Sequence, residues 1–199
     1  MQQTPLVLCS QSASRAQLLR RFGIDFLQKP VVYDEEQISA TAPREFVYQA
    51  AKGKLETAEQ QYGLELPLLT ADSVIATAKG EILRKPKDQE DARRILHLQS
   101  ASRISIISSL HFKCRELLFI DISQTRYRLA PFEEEDMEQY LQSGLWQGKA
   151  GGCMVEGFCK KYIMEVDGLE STAMGLSVEQ LLPWIKMYQN MLQYSQGVR

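Results

Sequence analysis

No apolar run in this chain approaches the length of a bilayer-spanning helix, so no membrane anchor is expected. The opening MQQTPLVLCS has no basic segment ahead of a long apolar one, and no secretory signal is expected there. The four cysteines (Cys9, Cys114, Cys153, Cys159) lack C-x-x-C spacing, and His97 and His111 lie far apart in sequence. That removes a local metal-ligand pair and points to free thiols in a reducing cytosol, hence a cytoplasmic protein. Neither G-x-x-x-x-G-K-[ST] nor G-x-G-x-x-G occurs, so the two standard nucleotide loops are excluded. A marked excess of one sign of charge is missing as well. With 23 Lys and Arg against 25 Asp and Glu, the net charge of -2 gives no basic face for nucleic acid.

What remains is ordinary globular material: 199 residues, 44% hydrophobic and 24% charged, enough for one large domain or two lobes sharing a sheet. Leu6 to Cys9 reads as a buried strand, Ala16 to Phe22 as a helix closed by Gly23, and Ile24 to Leu27 as a short strand. After a polar connection, Pro43 suits the first turn of a helix capped by Thr41 and ending at Gly63. LPLLTADSVIATAKGEIL reads as a buried strand and hairpin turning at Lys79-Gly80. Asp88 caps a helix, two period-2 strands follow, and Pro131 opens another helix. A glycine-rich segment, a strand from Tyr162 to Val166, a loop and a last helix from about Ser177 complete the chain; QYSQGVR reads as a frayed tail. Strands alternating with helices indicate an α/β fold.

Three places break the pattern. On the helix from Pro43, advancing about 100° per residue puts Lys54 inside the arc of Phe46, Ala50, Val47, Ala58, Ala51 and Leu55. Lys52 falls among Glu45, Glu56 and Glu59 on the opposite side. A lysine on a core-facing stripe either snorkels outward or meets an anion. Asp72 lies within an otherwise apolar strand, where a lone ionised carboxylate is costly. It is either a structural aspartate bonded to backbone or a general base or metal ligand at a sheet edge. Ser10, Ser12 and Arg15 stand where a strand turns into a helix, a natural anion site, although helix capping by Ser12 or Ser14 explains the serines equally well. Lys85, in Arg84-Lys85-Pro86, and the acidic run Asp34-Glu35-Glu36 read in isolation as a solvated loop and a solvated turn.

In order along the chain, these segments resemble the Maf (septum-formation) family of nucleoside triphosphate pyrophosphatases. The S-x-S and arginine turn followed by Leu-Leu is matched by Ser10, Ser12, Arg15, Leu18 and Leu19. The lysine in an alanine-rich helix is matched by Lys54 in AAKGKL, and the central G-A-D-[TS] strand by Asp72 and Ser73 in TADS. GEILRKP supplies Lys85, KAGGCMVEG supplies Lys149 and Glu156, and Gly175-Leu176 matches the late G-L. The chain departs from the family in several places. Ala13-Ser14-Arg15 replaces Pro-Arg-Arg, Ser73 stands for a common Thr, and Glu156 replaces the Gln of the pyrimidine-directed branch. Ser14 stands where the branch acting on methylated guanine nucleotides has an aromatic residue. Arg84 replaces a glycine, and Ser177 the proline of G-L-P.

The resemblance implies a long central mixed sheet flanked by helices, with a cleft between two lobes of one domain spanning residues 1–199, of which about 193–199 form the tail. It implies hydrolysis of a nucleoside triphosphate, modified or non-standard, to a monophosphate and pyrophosphate, in a sanitising role. Lys54, Lys85 and Arg15 would neutralise the phosphates, and Ser10 and Ser12 would hold their oxygens. Asp72 would be general base, or with Glu35 a ligand of Mg²⁺ or Mn²⁺. Ser14, Ser73 and Glu156 would set base choice; a carboxylate acceptor at Glu156 favours a guanine-like edge with N–H donors. The expected partners are the nucleotide and a second copy of the chain, with no nucleic acid or membrane. Two other readings stand beside this one. One is a nucleotide-binding regulator of cell division with little catalysis. The other is a pyrophosphatase for deaminated purines, whose S-x-N-x-x-K turn this chain lacks.

Overall fold

The computed structural model describes residues 5–197. Its elements run β1 (Leu6–Leu8), α1 (Ala13–Arg21), β2 (Phe26–Gln28), α2 (Pro43–Tyr62), β3 (Leu68–Thr77), β4 (Ile82–Leu83) and α3 (Gln89–Gln99). Then come β5 (Arg103–Lys113), β6 (Leu118–Leu129), α4 (Glu134–Gln142), β7 (Ile163–Asp167), α5 (Glu170–Ala173) and α6 (Val178–Gly197). The strands form one sheet in the order β2-β1-β3-β5-β6-β7, with β4 also on β3. β1 runs parallel to β2 and β3, and the remaining pairs are antiparallel. The α/β class and mixed central sheet are those expected.

Alternation along the strands divides the core between two faces. Leu6, Leu8, Leu69 and Ala71 pack with α1 and α6, through Leu18, Leu19, Leu181 and Ile185. Val7, Cys9 and Leu68 pack on Leu55 and Ala58 of α2, and Val74 and Ala76 on its Phe46, Val47 and Ala50. Burying a side chain such as Phe46 or Leu55 contributes about 1.5–3 kcal/mol, which fixes α2 on the sheet. A further cluster joins Ile75, Leu83, Leu96, Ile104, Ile106, Tyr127 and Met137 around α3 and α4, and makes the second lobe.

One irregularity places the site. β1 follows β3 only as far as Leu8 opposite Leu69, and β4 joins β3 only from Ile75 opposite Leu83. Residues 70–74 therefore pair with β5 on one side and have no strand on the other, among the described residues. The open edge lets neighbouring side chains from opposite faces of β3 reach one cleft.

Several local expectations need correction. Ala42, not Thr41, occupies the N-cap of α2 and makes no side-chain cap bond; Pro43 at the first position already fixes the entry. Helix α4 starts at Glu134 rather than Pro131. The preceding N–H groups go elsewhere: Phe132 donates to Ser100 Oγ at 2.8 Å and Glu133 to Tyr162 Oη at 3.1 Å, which holds this stretch extended. The loop after β7 contains α5, four residues too short to show a period. The tail is helical through Gly197, continuing a helix anchored by Tyr188 and Leu192; Val198 and Arg199 lie outside the described residues.

Candidate active site

A cleft of about 940 Å³ opens where β3 lacks its neighbour. Ser10, Ser12, Arg15, Glu35, Lys54, Asp72, Ser73 and Lys85 all line it, with Gly148 and Ala150 from the second lobe. A smaller hollow of about 210 Å³ adjoins it through Arg15, Ser73, Val74 and Ala150. Ser14, Lys149 and Glu156 line this hollow. The expected site residues are thus brought together in two groups: phosphate and acid–base candidates in the cleft, base-choice candidates in the hollow. Lys149 turns its ammonium over the Tyr140 ring, 5.9 Å from the centroid.

Lys54 holds the centre. Its Nζ donates to Asp72 Oδ1 and to Glu35 Oε1, each at 2.6 Å, so the lysine on the apolar stripe neither snorkels nor waits unpaired. Its side chain is 16% exposed, that of Asp72 8%, and that of Glu35 40%. Glu35 is therefore no solvated turn residue. The segment folds into a single 3₁₀ turn over residues 35–37, capped by Asp34 Oδ1 on Glu36 N–H, and this brings Glu35 onto α2. Burial pushes the Asp72 carboxyl above its usual range, with Glu35 adding to the shift and Lys54 and Arg15 opposing it. Burial also opposes ionisation of Glu35, but Lys54, Lys85 and Arg15 together hold it below its usual range. Two adjacent carboxyls pushed apart in this way can divide acid–base roles.

The serine turn can be read donor by donor, since a hydroxyl has one proton and two lone pairs. Ser10 Oγ accepts from Ser12 N–H at 3.2 Å and from Arg15 Nη1 at 3.1 Å, so both lone pairs are used and its proton is left to donate. Ser12 Oγ caps α1 by accepting from Arg15 N–H at 3.3 Å, so the capping reading holds and its proton is also left over. Arg15 donates from Nε to the Gly175 carbonyl at 2.9 Å and from Nη2 to Ser73 Oγ at 3.2 Å. With the bond to Ser10, three of its five N–H groups are spent on placement and two remain for a ligand. Gly175 sits at φ +97, and a Cβ there would stand 3.1 Å from Ser73 Oγ and 3.3 Å from Arg15 Nε; glycine is needed for this closeness.

Three contributors escaped the sequence reading. Gly53 of α2 lets the Tyr33 ring approach the helix closely: a Cβ at this position would fall 2.2 Å from the ring. Lys87 adds a further cation, beside Arg84 and Lys85, from the loop after β4. Ser108, directly opposite Ser73 across β3 and β5, is bonded to it at 2.9 Å. Only the Gly53 position, a glycine in the middle of a helix, left a signal in the sequence.

Glu35 and Asp72 also bear on a divalent metal. An all-oxygen pair of carboxylates suits Mg²⁺ or Mn²⁺, which bind through one or two carboxylates plus phosphate oxygens and water. No group of three or more His, Cys, Asp or Glu side chains poised to hold an ion occurs among the described residues. If a divalent ion binds here, Glu35 and Asp72 are the residues that would hold it, and a bound triphosphate would have to supply the other ligands.

A Nitratiruptor sp. protein named nucleoside triphosphate pyrophosphatase is 54% identical over 176 residues, covering 87% of this chain and 95% of that one. One of the same name from Helicobacter pylori (strain Shi470) is 40% identical over 182 residues, covering 92% and 95%. The solved Staphylococcus aureus Ham1 protein overlaps with a TM-score of 0.46 at 13% identity, over 63% of this chain and 72% of that one. An overlap that loose leaves the fold to be read from the sheet itself. A family model described as Maf-like protein matches residues 5–188, from the first strand into the last helix, and the chain belongs to the Maf family.

Proposed function

We propose that this protein is a nucleoside triphosphate pyrophosphatase: one water and one nucleoside triphosphate yield a nucleoside monophosphate and pyrophosphate. The observation that carries this reading is the Lys54 ammonium set between Asp72 and Glu35 inside a cleft rimmed by Arg15, Lys85 and Lys87. A pure binding site for an anion has no use for two carboxylates at its centre, whereas a hydrolase needs a base for its water.

Each residue then has a task. Ser10 and Ser12 donate hydroxyl protons to phosphate oxygens, and Arg15 donates its two remaining N–H groups. Lys54 and Lys85 neutralise the triphosphate and the charge that grows on departing pyrophosphate, where fixed cations lower the barrier most. Asp72, whose proton affinity burial raises above the usual carboxylate range, takes the proton of the attacking water. Glu35 and Asp72 would hold a divalent cation, which when bound supplies charge neutralisation on the phosphates. The nucleobase enters the smaller hollow beside Ser14, Ser73 and Glu156.

The cytoplasm is the compartment this reading implies. Nucleotides abound there, and all four cysteines are free and buried, as suits a reducing environment. No helix among the described residues is long and apolar enough to cross a membrane. The homodimer implied by the family resemblance is part of the proposal, and light scattering measures it. Products decide the reaction. Equimolar monophosphate and pyrophosphate by ³¹P NMR sustain the reading. A diphosphate with orthophosphate contradicts it, as does nucleotide binding without turnover, which is what a regulator would give.

A further inference from the structure

Ser73 lines both the cleft and the base hollow, and its hydrogen bonds fix what it can offer there. Ser108 Oγ lies 2.8 Å from the carbonyl oxygen of Thr172, which can only accept. The single proton of Ser108 is therefore spent on Thr172. The 2.9 Å contact between Ser108 Oγ and Ser73 Oγ must then use the proton of Ser73. Arg15 Nη2 occupies one Ser73 lone pair at 3.2 Å. One lone pair is left, and no donor. Ser108 is 1% exposed, so water does not reach it to rearrange this chain.

We infer that Ser108 is a positioning residue for base selection: by claiming the Ser73 proton it turns Ser73 into an acceptor, so that the hollow favours bases whose ring edge carries an N–H. Glu156, the carboxylate in the same hollow, is also an acceptor; of the two side-chain cations lining it, Arg15 is held by Gly175, Ser10 and Ser73, and Lys149 is drawn to Tyr140. A guanine, uracil or hypoxanthine edge presents a ring N–H beside a carbonyl. Adenine and cytosine present a bare ring nitrogen, whose lone pair would face that of Ser73, leaving a buried polar atom unpaired. This inference rests on the proposed placement of the base in the smaller hollow, and it names the substrate class.

The test is equilibrium titration of GTP, ATP, UTP and CTP in EDTA, with inorganic tripolyphosphate as a probe of the phosphate cleft alone. The wild-type protein should bind GTP over ATP and UTP over CTP by about tenfold, the effect of one mismatched hydrogen bond. Ser108→Ala frees the Ser73 proton. It should bring both ratios to about threefold or less, through tighter binding of ATP and CTP, with tripolyphosphate unaffected. Ser108→Thr keeps the hydroxyl and should restore the wild-type ratios. Equal binding of the paired nucleotides by wild type overturns the inference. So does a Ser108→Ala variant that keeps the wild-type ratios, or one that weakens all four nucleotides and tripolyphosphate alike. Because binding is read without turnover, failed hydrolysis with these ratios intact would remove the enzymatic reading alone. Hydrolysis without the ratios would remove this inference alone.

Discussion

Replacing Asp72 with asparagine should cost activity and add stability, and both effects follow from the same burial. Asparagine keeps the shape and an Oδ1 that can accept from Lys54, and it discards the charge. Lys54 keeps Glu35 at 2.6 Å, so no buried cation is left uncompensated. Loss of a general base should lower kcat/KM by about 10²–10⁴-fold. For stability, the raised proton affinity of Asp72 means that the folded protein holds this proton more tightly than the unfolded chain does. Its favourable contribution is complete below the unfolded carboxylate range, at about pH 4, and is lost as pH rises through the folded value. Asparagine has nothing to lose. The stability gap in its favour should open upward from about pH 4, by no more than about 1.36 kcal/mol per pH unit, and level off once Asp72 is ionised in the fold. Urea unfolding at a series of pH values, paired with pyrophosphate release, measures both effects. Full turnover in the variant would remove Asp72 from the chemistry. A gap that does not grow with pH would mean that Lys54 and Arg15 outweigh burial.

Lys54→Met should fold, since methionine suits the apolar stripe, and should bind triphosphate at least about tenfold more weakly by calorimetry; unchanged affinity would make the lysine purely structural. Gly53→Ala adds helix propensity of about 1 kcal/mol but drives a methyl into the Tyr33 ring beside the turn that carries Glu35. We expect kcat/KM to fall at least about tenfold, and a fully active, more stable variant would show that this turn need not be held. His111 is buried with Nε2 unbonded, and burial with the nearby Lys52 pushes it down to about 4. Below the ordinary value of about 6.5 the unfolded chain takes up a proton that the fold refuses, so stability should fall between about pH 6.5 and 4 by about 3 kcal/mol. His111→Phe should remove that dependence, and an unchanged pH–stability profile would place the cause elsewhere.

How much of this was legible in the sequence depended on how local the cause was. The 3.6-residue period of α2 exposed Lys54 because its stripe is otherwise apolar, and Asp72 stood out as a charge within a buried strand. Both signals need only one element. The partner of Lys54 was harder: Glu35 sits in a polar run that reads as solvated until the 3₁₀ turn folds over α2. Ser108 gave no sign, because its meaning comes from the β3–β5 register that sets it opposite Ser73. Helix α4 starts later than Pro131 suggests because Ser100 and Tyr162, distant in sequence, take the N–H groups that would open an earlier turn. The open edge of β3 is likewise a property of two neighbours that stop short, not of β3 itself.

The most direct measurement of the central claim is a product assay on the purified protein with ordinary, methylated and deaminated triphosphates and Mg²⁺ or Mn²⁺. Orthophosphate is detected with and without added inorganic pyrophosphatase, and the Asp72→Asn variant runs alongside. Orthophosphate is expected only when pyrophosphatase is present, and almost none from the variant. Orthophosphate released without the added enzyme, or equally from both proteins, would contradict cleavage between the α and β phosphates by this site.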